Sequence, residues 1–181
     1  MKKFLVLATV AMMTAMSAFA QESGDFAIGV RGGVTITKVD LPGLKIDEKE
    51  TRFGIGGFAQ YNLSNHWRVD LEGIYHPMKN HVSDVTACIN IHYLINLTQD
   101  HKFKLYPILG YGLAFVHSET YTNGGTTIEG ENSRDGGIQL GLGTNCDLSF
   151  AEGWFVSAEY KFQPGIFGDG HVALLGIGYR F

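Results

Sequence analysis

Eight stretches of this chain alternate bulky apolar residues with small or polar ones, and the last stretch ends on Phe181. Side chains on a strand point by turns to its two faces, so a period of two sorts each stretch into two sets. The stretches are 26–35, 52–63, 67–76, 85–97, 103–115, 138–150, 154–162 and 172–181. One set is dense in Phe, Leu, Ile, Tyr and Trp and carries no charge, as in Val85, Ala87, Ile89, Ile91 and Tyr93. The other mixes Gly and Ala with Arg31, Arg52, Arg68, Asp70, Glu72, Lys104, Asp147, Glu159, Lys161 and Arg180. An eight-stranded barrel has an interior just wide enough for side chains to fill. The bulky set is too large to line it and must face lipid. The reading is therefore all-β: an eight-stranded antiparallel up-and-down transmembrane β-barrel. Both signs of charge fall on the inward set, which predicts a paired network plugging the bore, since an isolated buried ion costs several kcal/mol or more.

The chain opens with a secretory leader. Lys2 and Lys3 supply its positive start, Phe4 to Met16 its apolar run, and Ser17-Ala18-Phe19-Ala20 a small-residue cleavage site. Cleavage after Ala20 divides the chain into a signal peptide, 1–20, and one barrel domain, 21–181. No later stretch approaches the ~20 apolar residues of a membrane helix, so a membrane-embedded chain must close on itself to satisfy its backbone. The formal charge is −4, and loss of Lys2 and Lys3 makes it more negative. That acidity argues against a nucleic-acid partner. Cys88 and Cys146 fall on opposite faces of the wall and are expected to stay unpaired.

Connections alternate in length. The segments 64–66, 98–101 and 151–153 are tight turns, while 38–50, 77–84, 117–135 and 163–170 are longer. Short periplasmic turns and long outer loops are the habit of outer-membrane barrels, which predicts extracellular long loops and periplasmic chain ends. Aromatics gather in two belts, as bilayer interfaces select: Tyr61, Trp67, Phe103, Phe150, Trp154, Tyr179 and Phe181 near the tight turns, Phe53, Tyr75, Phe115, Tyr160 and Phe162 near the long loops.

The leader, the run Tyr106-Pro107-Ile108-Leu109-Gly110-Tyr111-Gly112, Gly141-Leu142-Gly143 and the ending Leu174-Leu175-Gly176-Ile177-Gly178-Tyr179-Arg180-Phe181 carry a resemblance. The chain resembles small eight-stranded outer-membrane barrels of the outer-membrane protein X, opacity-protein and OmpA-barrel type, the "porin family". The resemblance implies an integral protein of a Gram-negative outer membrane, in contact with outer-membrane lipid and lipopolysaccharide. It also implies that the final aromatic is read by the barrel-assembly machinery during insertion. Such barrels serve as adhesins, anchors, receptors, small pores and lipid-modifying enzymes, so architecture alone does not choose among them.

No catalytic, cofactor-binding or metal residue is assigned from the sequence, and no cofactor or enzymatic activity is expected. His117-Ser118-Glu119 holds the residue types of a hydrolytic triad, yet adjacent strand residues point to opposite faces and geometry defines a triad. His76, His81, His117 and His171 lie near the long-loop end without ligand-like spacing. Asn123-Gly124-Gly125 between Thr120-Tyr121-Thr122 and Thr126-Thr127-Ile128 predicts a hairpin. Its ribbon offers a site at 117–135 for an extracellular protein partner through edge pairing. The expected role is a monomeric surface protein in adhesion, envelope integrity or partner binding. A lipid-A-modifying enzyme, a narrow pore and a secreted ligand-binding barrel or sandwich stand as alternatives.

Overall fold

A computed structural model describes residues 24–39, 48–99, 102–123, 126–130, 132–164 and 169–181. The leader expectation lies outside the described residues. Eight long strands form the wall: β1 (Phe26–Val39), β2 (Glu48–Asn62), β3 (Trp67–Lys79), β4 (Val82–Tyr93), β5 (Phe103–Ser118), β6 (Asn132–Asp147), β7 (Trp154–Gln163) and β8 (Asp169–Arg180). The line of β4 resumes at Ile95–Asn96, and Asn96 pairs with Lys104. Every neighbouring pair is antiparallel, and β8 returns to β1 with Ala27 opposite Arg180 and Lys38 opposite Asp169. The sheet is closed and has no edge within the barrel.

Alternation dictates the layering, and each strand sorts as the period of two requires. Leu71, Leu109 and Leu142 are 46–57% exposed on the outer wall, whereas Arg31, Asp70 and Lys161 are at most 2% exposed in the bore. Among the described residues, exposed large apolar side chains outnumber buried ones, the inverse of a water-soluble protein, as a lipid-facing wall demands. Cys88 is buried, Cys146 lies on the other face, and both are free.

Three of the connections join β2 to β3, β4 to β5 and β6 to β7 at the short-turn end, where Phe26 and Phe181 also lie. In the first, the Ser64 hydroxyl accepts the N–H groups of His66 and Trp67 at 3.3 and 3.2 Å. Around this end Trp67 packs edge-on against Tyr93, Trp154 against Tyr179, and Phe26 stacks on Phe181.

The structure corrects several boundaries. β6 begins at Asn132 and stops at Asp147, so Leu148, Ser149 and Phe150 belong to a turn rather than to the strand. The expected long loop 77–84 is a two-residue turn: β3 runs to Lys79, β4 starts at Val82, and Asn80 and His81 take positive φ of 51° and 64°. Both central positions of this hairpin class need positive φ, and a histidine there gives no composition signal. β5 and β6 have 16 residues each. A membrane strand needs only ~9–11, so both extend past the lipid, where polar residues occupy both faces and the alternation fades. The expected ribbon is present, with Tyr121–Asn123 paired to Thr126–Ile128.

Candidate functional site

The inward positions converge on one buried cluster at mid-bore. Arg31 (β1) donates to three carboxylates: Asp70 and Glu72 of β3 at 3.1 and 2.5 Å, and Glu159 of β7 at 3.0 Å. Lys161 bridges Glu72 at 2.5 Å and Glu159 at 3.5 Å. Gln60 and Asn90 donate to the two oxygens of Asp70 at 2.9 and 3.1 Å, and the Tyr106 hydroxyl donates to Glu159 at 2.9 Å. From Asn90 the chain of bonds continues through Gln139 to Gln163, which donates to Gln139 at 2.7 Å. Apolar faces complete the cluster: the Arg31 guanidinium sits 4.0 Å from the Phe58 ring centre.

Arg68 behaves differently from its neighbours. No carboxylate pairs with it among the described residues. Its Nε donates to Nδ1 of His92 at 3.1 Å, and it lies 4.4 Å over the Tyr106 ring, on which His92 also stacks. With Arg68, three cations face Asp70, Glu72 and Glu159, so the mid-bore charges balance. The packing depends on absent side chains: a Cβ on Gly143 would overlap the Tyr106 ring, so that glycine makes room for the stack. With these groups packed together, the bore at this level is a filled plug.

Smaller clusters sit at the two ends. At the short-turn end Arg180 pairs with Asp147 at 2.9 Å, and a cavity of about 550 Å³ is lined by Asp25, Asn62, Leu94, Asn96 and Lys104 among others. At the long-loop end one polar cluster ties four strands. Oγ1 of Thr35 (β1) lies 3.0 Å from Nε2 of His76 (β3), and Nδ1 of His76 lies 2.7 Å from Oδ2 of Asp84 (β4). Arg52 (β2) pairs with the other oxygen of Asp84 and donates to the carbonyls of Pro77 and Val82 at 3.3 and 2.9 Å. Sequence reading missed this cluster because it left Asp84 in a loop. Had β4 been extended by period two from Thr86, Asp84 would have fallen on the inward face beside His76.

The histidines weighed from the sequence do not converge. His76 points into the bore, His81 occupies the turn, His117 bonds Asn132 at 2.7 Å, and His171 bonds the Tyr160 hydroxyl at 2.7 Å. Ser118 follows His117 along β5 on the opposite face. Among the described residues no three His, Cys, Asp or Glu side chains come together as a metal site.

Comparison with known proteins places this geometry. The family model for the outer membrane protein beta-barrel domain matches residues 5–181. No curated protein matches the chain. Among solved structures, Neisserial surface protein A superposes with a TM-score of 0.63 at 14% identity, over 88% of this chain and 100% of that one. The N-terminal β-barrel domain of Pseudomonas aeruginosa OprF gives 0.56 at 17% identity, over 88% and 100%. Pseudomonas aeruginosa OprG gives 0.54 at 16%, over 88% and 96%. At these identities the likeness is one of fold.

Proposed function

The chain belongs to the outer membrane protein beta-barrel domain family, and from that membership and the geometry above we propose that it is a surface-contact protein of the Gram-negative outer membrane. The long-loop end is extracellular, both chain ends are periplasmic, and an extracellular protein partner binds at 117–135. Outer-membrane lipid and lipopolysaccharide surround the wall, and the terminal Phe181 is the handle for barrel assembly. The filled bore disfavours the pore alternative, and the contact role requires no catalytic step.

One observation carries the reading. On the β7 side, pairing of β6 stops at Leu140 opposite Phe162, whereas β5 accompanies β6 out to Asn132. At the outer end of this stretch Asn132, Ser133 and Arg134 have no strand beside them on that side among the described residues, and all three are exposed. An open edge adds a partner's strand through main-chain hydrogen bonds. The Gly136 N–H is taken by the carboxylate of Asp135 at 2.8 Å, so even-numbered residues turn their N–H groups to the open side.

Arg134→Pro therefore deletes an edge donor while sparing the ladder to β5. Cells displaying this variant, or a deletion of 120–128, should lose binding to whichever of a panel of immobilised serum and matrix proteins captures the wild type. A folded Arg134→Pro variant that binds as well as the wild type would reject the edge reading, and a folded 120–128 deletion that does so would reject the ribbon as part of the site.

A further inference from the structure

Thr35, His76 and Asp84 form an unbroken relay at the long-loop mouth of the bore. A carboxylate only accepts, so the tautomer it selects carries the proton on Nδ1 of His76 and leaves Nε2 to accept from the Thr35 hydroxyl. Arg52 is the register partner of Thr35 on β2. Its terminal nitrogens hold Asp84 and the turn carbonyls, whereas its Nε is buried with no hydrogen-bond partner. Thr35 points into the bore near its long-loop end and is half-buried. The His76 ring packs over Gly54, where a Cβ would stand 2.7 Å from Nε2. A hydroxyl, a base and a carboxylate that orients the base are the parts that acyl transfer uses.

We propose that Thr35 is the nucleophile of an acyl-transfer site for carboxylic esters small enough to enter the mouth of the bore. Oγ1 of Thr35 attacks the ester carbonyl while Nε2 of His76 takes the hydroxyl proton. Collapse breaks the bond to the alcohol, which leaves with the proton held by His76, and Thr35 retains the acyl group as a new ester. Water, deprotonated by the same Nε2, then cleaves that ester to a carboxylic acid and restores the Thr35 hydroxyl. The site shares no residue with the β6 edge, so it stands or falls separately from the contact role.

The test uses the full-length protein folded in detergent, with p-nitrophenyl acetate as the probe. Mass spectrometry should find the acetyl group on Thr35. Nitrophenol release should fall about 100-fold or more in His76→Gln, vanish in Thr35→Val and persist in Thr35→Ser. His66→Gln removes an exposed imidazole at the opposite end of the barrel and should leave acetylation of Thr35 unchanged. Heat-modifiable gel mobility reports whether each variant is folded. Where Thr35→Val or His76→Gln does not fold, the wild-type acetylation map and Thr35→Ser decide. Wild-type protein with Thr35 unmodified would overturn the proposal and leave the cluster a clamp; so would folded Thr35→Val that releases nitrophenol at the wild-type rate.

Discussion

Arg31 is the side chain on which the plug turns. It contacts carboxylates from two strands and shares two of them with Lys161. Removing one member of a buried ion cluster is far costlier than never having built it, because the remaining charges keep their desolvation penalty. Arg31→Met should therefore lower stability by about 3–5 kcal/mol, read from urea unfolding in lipid vesicles through Trp67 and Trp154 fluorescence. A loss below about 1 kcal/mol would mean that water enters the bore and solvates Asp70, Glu72 and Glu159. Period two showed from sequence that Arg31 and its partners face inward. It did not show who meets whom, because contacts across a barrel depend on strand stagger, which no local pattern encodes. Arg68 illustrates the gap: it has the same inward parity as Arg31, yet its partners are His92 and Tyr106.

Elements were legible where one face met lipid and opaque where neither did. The Asn123-Gly124-Gly125 hairpin could be read because glycine announces a turn. The Asn80-His81 turn could not, because its second residue is a histidine held at φ 64°. Arg52 fixes that turn from β2 through the carbonyls of Pro77 and Val82, and the Glu119 N–H donates to the His81 carbonyl at 2.8 Å. Tertiary bonds thus hold a conformation that local propensity would not choose. Proline is confined to φ of about −65°, so His81→Pro should destabilise the barrel by more than about 1 kcal/mol, while His81→Gly, free to adopt positive φ, should be tolerated. Hydrogen exchange at the amides of Val82 and Glu119 would rise in the proline variant. Unchanged exchange there would show that the turn does not depend on this backbone geometry.

At the scale of the whole molecule, closure and inside-out layering are one decision. Each strand spends half its residues on lipid and half on the plug, so neither layer forms unless the other does. Among the described residues, burial of apolar side chains in the bore is confined to small groups such as Ala27, Phe58 and Phe155, too little apolar core to hold a water-soluble domain. Folding must therefore draw on lipid contact outside and on ion pairing inside. Single cysteines in place of Leu71, Leu109 and Leu142, in a background lacking Cys88 and Cys146, can carry nitroxide labels that report this directly. Each label should collide with oxygen, which concentrates in acyl chains, and should be shielded from a water-soluble paramagnetic reagent. The three residues lie on β3, β5 and β6, so a single wet strand would appear as one discordant label. Water at all three would contradict the inside-out arrangement itself, and the balanced plug of Arg31, Arg68, Lys161, Asp70, Glu72 and Glu159 would lose the surroundings that make its pairing necessary.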